Sequence, residues 1–225
     1  MIKILTVGDD FDRDRAFALH SECFGDEVEW FDALCSAAKG EKYIAFRSGD
    51  EYIGGTFLFD VFFDGFCGKY VYALGVCEKH RGKGIAKALL ECAKAESNDF
   101  TLICPADEGL AKTYEKLGFC NYVGGTVKAG DMWGVRADTS AYNVPCTRES
   151  IKGGFLLGLR LFKFALGECC SAQLLTDGES VIASSAAGVY AAYGKPPRIS
   201  KKAQVYLKKQ IDLCGAVADL ILETT

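Results

Sequence analysis

Residues 71–90, Val71-Tyr-Ala-Leu-Gly-Val-Cys-Glu-Lys-His-Arg-Gly-Lys-Gly-Ile-Ala-Lys-Ala-Leu-Leu90, decide how this chain is read. They run as a strand, a four-residue turn, a glycine-rich loop and an amphipathic helix. Arg81-x-x-Gly84-x-Ala86 opens that helix. The unpaired N–H groups of its first turn and the positive end of its dipole therefore face whatever occupies the loop. Gly82 and Gly84 carry no Cβ, so a ligand can touch the backbone there. This order suits a pyrophosphate. Two other glycine loops fail against the letters. A Walker loop needs Ser or Thr after its Gly-Lys, which Gly84 and Ile85 do not supply. A dinucleotide fingerprint counted from Gly82 needs a closing Gly or Ala where Lys87 stands.

A second element lies downstream, Cys104-Pro-Ala-Asp-Glu-Gly-Leu-Ala-Lys-Thr-Tyr-Glu-Lys-Leu-Gly-Phe119, a strand end and helix closing on Tyr-x-x-x-Gly-Phe. In this order the two motifs resemble the GNAT superfamily of N-acetyltransferases. Its acyl-CoA signature is Arg or Gln, two residues, Gly, one residue, then Gly or Ala, directly after a strand. The resemblance covers roughly residues 1–130. It implies that backbone N–H groups of Arg81, Gly82, Lys83, Gly84, Ile85 and Ala86 bind the pyrophosphate of acetyl-CoA, with Arg81 or Lys83 adding charge. The main chain of Leu74, Gly75 and Val76 would pair with the pantetheine amides like an extra strand. Tyr114 would act as general acid on the departing sulfur, a phenol being well placed to protonate a thiolate. Asp107 stands where the family usually has an Asn near the cofactor. It is a candidate cofactor contact, and equally a simple helix cap. The alternative for Tyr114 is an aromatic packed on the sheet, and for Arg81 and Lys83 solvated loop charges. No general base stands out. Glu22, Asp60 and Asp64 are candidates by region only, and none is named as catalytic.

Composition bounds the function. The chain has 225 residues, 49% hydrophobic and 25% charged, which is ordinary for a globular protein large enough for one domain and an appendage. A formal net charge of -4 argues against a general binder of nucleic acid or anionic membrane. No apolar run approaches a membrane span, and the first residues lack a signal peptide's layout, so a cytoplasmic location is expected. Eleven cysteines, an odd number at irregular spacing without Cys-x-x-Cys, point to reduced thiols. With only His20 and His80 as imidazoles, no metal is expected.

The rest of the chain is read by period and punctuation. Ile2–Val7 alternates as a first strand, and Asp10–Cys23 and Val28–Ala38 read as helices. Tyr43–Phe59 is a hairpin around Ser48-Gly-Asp50, Tyr70–Val76 a strand, Ile85–Ala95 a helix and Phe100–Cys104 a short buried strand. Gly109–Leu117 is a helix stopped by Gly118. Asn121–Lys128 and Gly134–Ala137 are final strands. The expected fold is thus a mixed α/β sheet of GNAT type over residues 1–140, with a C-terminal α/β extension over 145–225.

In that extension Ile151–Leu166 is apolar at helical spacing, though glycines weaken it, and Ala172–Ala183 is a hairpin around Asp177-Gly178. Ser200–Glu223 reads as an amphipathic helix whose apolar side needs a domain face or a second copy, so a homodimer is one expectation. A degenerate second acetyltransferase half is another. The function expected from the resemblance is transfer of an acetyl group from acetyl-CoA to a primary amine, on a small molecule or a peptide. The rival is a noncatalytic acyl-CoA sensor or interaction module.

Overall fold

The computed structural model describes residues 1–126, 144–145, 154–157, 161, 173–176, 181–185, 188–193, 201–213 and 217–219. The chain divides into two compact units, Met1–Asp60 with Cys67–Ile103, and Val61–Phe66 with Cys104–Thr225.

The first unit contains β1 (Ile2–Thr6), α1 (Arg13–Phe24), α2 (Val28–Ala37), β2 (Lys42–Ser48), most of β3 (Glu51–Phe63) and most of β4 (Phe66–Val76). A single 3-10 turn (Glu78–His80), α3 (Ile85–Glu96) and β5 (Phe100–Ile103) complete it. The strands lie in sequence order. β1 and β2, and β2 and β3, pair antiparallel, whereas β4 and β5 run parallel across the α3 crossover. Local chemistry sets the element ends. Asp12 caps α1 by accepting from the Arg15 N–H at 3.2 Å, and Gly25 ends the helix at φ +76°. One face of α3 buries Ile85, Leu89, Leu90 and Ala93. It lies close enough to β3 that a Cβ on Gly54 would stand 2.6 Å from Ile85 Cγ2. On α1 and α2, Phe31 joins Tyr43, Phe57 and Phe59 in a chain of ring contacts, with the Phe57 centroid 4.9 Å from Tyr43 and 6.0 Å from Phe31.

In the second unit the tip of the β3–β4 hairpin turns on Asp64 and Gly65, both at positive φ, the backbone of a two-residue primed turn. Its other elements are α4 (Glu108–Glu115), β6 (Asn121–Thr126), β7 (Val144–Pro145), β8 (Gly154–Leu157), β9 (Gln173–Thr176), β10 (Val181–Ser185), β11 (Gly188–Tyr193), β12 (Lys201–Leu207) and β13 (Val217–Asp219). Strands β12, β6, β13 and β8 are neighbours in that order, and β8 also pairs with Val61 and Phe62. A separate sheet has the order β11-β10-β9-β7.

The mixed α/β fold expected from the sequence is present, and most expected elements over residues 1–126 appear within a few residues of their ends. Of the hairpin expected over Ala172–Ala183, the two strands are present as the antiparallel pair β9 and β10, and its turn at residues 177–178 lies outside the described residues. Two expectations are overturned. Within Ile151–Leu166, residues 154–157 are strand β8 rather than helix, with glycines at 153, 154 and 158 withholding helical propensity. Ser200–Glu223 is not an amphipathic helix. Its residues 201–207 form β12, antiparallel to β6 from Lys201↔Gly125 to Val205↔Asn121, and 217–219 form β13. Three successive residues of β12, Ala203, Gln204 and Val205, are fully buried. Burial on both faces erases the alternation by which a strand is recognised, and tertiary pairing overrides the apparent helical period. The homodimer expectation loses the helix on which it stood. The expected strand Gly134–Ala137 lies outside the described residues.

Candidate functional site

The first unit builds the loop site from β4 upward. The β4–β5 ladder runs from Gly68↔Phe100 to Val71↔Ile103, where β5 ends, and β4 continues five residues further to Val76. A bend marks the transition. Ala73 has φ +53°, one of two non-glycine residues in the described chain with positive φ. The carbonyl before it, on Tyr72, accepts from the hydroxyl of Thr56 at 2.8 Å, and Thr56 is fully buried on β3. A left-handed alanine costs conformational energy, which the buried hydroxyl bond offsets. Leu74, Gly75 and Val76, expected to offer their main chain to a ligand, lie directly beyond this bend. Gly75 is explained by its neighbours, since a Cβ there would stand 2.9 Å from Cys23 Sγ at the end of α1.

The loop proper is open. Gly82 and Gly84 take φ +75° and +77°, and a Cβ on either would have nothing within 4 Å. Gly84 is also the N-cap of α3, with no side chain bonding to the helix end, and the first helical bond there is Ala88 N–H to Gly84 C=O at 3.0 Å. The N–H groups of Ile85, Ala86 and Lys87 therefore precede the helical ladder, in a cradle that side chains leave empty. Both cations of the loop are folded onto protein. Arg81 Nε donates to the Val76 carbonyl at 3.2 Å, and Lys83 Nζ donates to the Lys79 carbonyl at 3.0 Å.

On the α1 side, Glu22 Oε1 accepts from the Glu78 N–H at 2.9 Å, supplying a cap that the 3-10 turn lacks in its own sequence. This bond, with the Cys77 thiol, lowers the Glu22 pKa and keeps the carboxylate ionised. Burial pushes the Cys77 thiol up to about 11 and raises Cys23 as well, so neither is a thiolate nucleophile near neutrality. Glu22 borders a cleft of about 370 Å³ whose other charged walls are Arg15, Asp50, Glu51 and Lys79. These charges are paired across it, Arg15 to Asp50 at 3.8 Å and Lys79 to Glu51 at 3.5 Å. Of the other acids named by region, Asp60 is ion-paired with Lys69 and Asp64 sits in the hairpin turn.

In the second unit, Asp107 is the N-cap of α4, and its Oδ1 accepts from the Leu110 N–H at 2.8 Å. The capping alternative is thus realised by one of its two oxygens. Tyr114, two turns on, is 6% exposed, with its ring centroid 6.3 Å from that of Phe119. Among the described residues no cluster of three or more His, Cys, Asp and Glu could hold a metal ion, and no helix is long and apolar enough to cross a membrane.

A strand that outruns its parallel neighbour and feeds an uncapped helix through an open glycine loop leaves free N–H donors and a helix dipole facing open space, an arrangement that suits an anion. Residues 39–121 match the family model described as the acetyltransferase (GNAT) domain. Among solved structures, a GCN5-related N-acetyltransferase from Kribbella flavida superposes with a TM-score of 0.53 at 13% identity, covering 92% of this chain and 72% of that one. A Pyrococcus horikoshii protein described as an acetyltransferase does so with a TM-score of 0.51 at 15% identity, covering 88% and 73%. At such identities these likenesses show the fold alone. No curated protein matches the sequence. Over residues 39–121 the chain is therefore similar to the GNAT acetyltransferase domain.

Proposed function

We propose that the protein is a cytoplasmic N-acetyltransferase that moves an acetyl group from acetyl-CoA to a primary amine by direct transfer. The observation that carries this reading is the open loop of Gly82 and Gly84 at the uncapped start of α3, directly after the bent end of β4. It fits a pyrophosphate, because N–H donors and a helix dipole converge on a space that no side chain fills. Backbone groups of residues 81–86 would hold the pyrophosphate, with Arg81 and Lys83 swinging from their present carbonyl partners to add charge. Leu74, Gly75 and Val76 would offer strand-like hydrogen bonds to pantetheine amides. Acetyl-CoA supplies the activated acyl carbon. The amine nitrogen bonds to that carbon, the carbon–sulfur bond breaks, and Tyr114 gives its hydroxyl proton to the departing thiolate. Glu22 remains a structural carboxylate in this scheme, its oxygen bonded to the Glu78 N–H.

Calorimetric titration of acetyl-CoA tests the site before any acceptor is known. Micromolar binding that disappears in Gly84→Glu, where a carboxylate fills the cradle at a left-handed position, is the expected result. An amine screen then tests the chemistry. Tyr114→Phe should keep acetyl-CoA affinity and lower turnover on the order of 100-fold. Binding without thiol release over a broad amine panel would instead favour a noncatalytic acyl-CoA sensor.

A further inference from the structure

We infer that Gln204, on β12, is a positioning residue for the segment of α4 and β6 that carries Tyr114. This inference rests on the role proposed above for Tyr114. Gln204 is fully buried, and its Nε2 reaches the carbonyl of Ala111 at 3.1 Å, the carbonyl of Phe119 at 3.0 Å and the Tyr122 hydroxyl at 3.0 Å. Carbonyls only accept, so the two amide hydrogens must point at Ala111 and Phe119, and the Tyr122 oxygen shares one of them. The Tyr122 hydroxyl in turn donates to the Glu115 carboxylate. Ala111 is one helical turn before Tyr114, and Phe119 is five residues after it. The amide therefore grips both sides of Tyr114 with one rigid group. A second residue of the same strand adds to the grip, since Tyr206 packs its ring 5.9 Å from Phe119, and the Phe119 ring lies 6.3 Å from that of Tyr114.

A purely space-filling role would be met as well by an apolar side chain of the same volume. The Gln204 Oε1 is buried without a hydrogen-bond partner, a cost that Met or Leu would not carry. What the amide alone supplies is a fixed distance between a helix carbonyl and a strand carbonyl that flank the proposed acid. Catalytic groups lose rate steeply when displaced by a fraction of an ångström to an ångström, so this restraint belongs to turnover rather than to cofactor affinity.

The test is a double-mutant cycle in the full chain, with Gln204→Met and Tyr114→Phe, using acetyl-CoA and the best amine from the acceptor screen. Thermal unfolding confirms that each variant is folded at the assay temperature. Gln204→Met should lower kcat about tenfold or more with KM for acetyl-CoA unchanged within about twofold. In the Tyr114→Phe background it should have almost no further effect, because the group it positions is gone. An equal loss in both backgrounds, or a loss confined to KM, overturns the inference. If Tyr114→Phe alone keeps full turnover, the proposed acid is wrong and Gln204 has nothing to position, which separates that failure from this one. Should Gln204→Met not fold, Tyr206→Leu in the same cycle takes its place, with the same expected non-additivity.

Discussion

At the scale of single residues, the loop glycines were legible and the bend before them was not. Gly82 and Gly84 announce themselves because their spacing before a helix has a mechanical meaning, and the structure finds both left-handed with open space in front. Ala73 carries no such mark, since nothing in an alanine suggests the positive φ it adopts. Its conformation depends on Thr56, seventeen residues earlier on another strand, and only the fold brings the two together. Thr56→Val keeps the shape and removes the hydroxyl that bonds the Tyr72 carbonyl. A loss of about 1–3 kcal/mol in urea unfolding is expected, with weakened acetyl-CoA binding as the bend relaxes. Unchanged stability would mean that the hydroxyl does not hold the bend. Asp107 poses the opposite case, a legible residue with two readings. Asp107→Asn should retain both stability and activity because an amide oxygen caps as well, whereas Asp107→Ala should cost about 1 kcal/mol through the lost Leu110 bond. Loss of acetyl-CoA binding in Asp107→Asn would restore the carboxylate as a cofactor contact.

Among the elements, the α1–α2 hairpin contains a titrating device. His20 is buried, 5% exposed, against Phe24, Trp30 and Phe31, with Nε2 2.6 Å from Asp26 Oδ2 in the connection between the helices. Desolvation lowers its pKa, and the Asp26 hydrogen bond opposes that only in part. The folded protein therefore takes up the proton less readily than the unfolded chain. The resulting stability is fully present above the ordinary histidine value of about 6.5 and is lost as pH falls through the lower, folded value. The midpoint of thermal unfolding should drop between pH 7.5 and pH 5.5 more in the wild type than in His20→Phe. Parallel pH dependence in the two proteins would remove His20 as its source. Helices were legible where the apolar period is continuous, as in α1, whose caps Asp12 and Gly25 only the structure identifies. β12 was not, because a strand buried on both faces shows no period of two, and the lysines and apolar residues from 200 to 223 mimic a helical stripe.

For the whole molecule, the sheet around β6 is closed by residues far along the chain. β6 ends at Thr126 and its antiparallel partner begins at Lys201. A chain cut after residue 140 would strip β6 of that ladder and of the buried Ala203, Gln204 and Val205, exposing an edge that pairs indiscriminately. Such a fragment should be recovered mostly as aggregate, and any soluble part should elute as an oligomer in size-exclusion chromatography. A monomeric fragment that binds acetyl-CoA as the full chain does would show that the distal strand is dispensable. Two motifs sufficed to read the family domain because each is contiguous and local. The partner of β6 was beyond such a reading, since nothing in Lys201–Leu207 names the strand it will join.

That long separation has a consequence on the ribosome. At roughly 5–20 residues per second of synthesis, about 4–15 s pass between the emergence of β6 and that of β12. Through that interval the nascent protein holds its glycine loop complete while the strand after α4 waits open-edged. Folding of the first unit is thus separable in time from completion of the second, and chaperone dependence should concentrate between the emergence of β6 and that of β12.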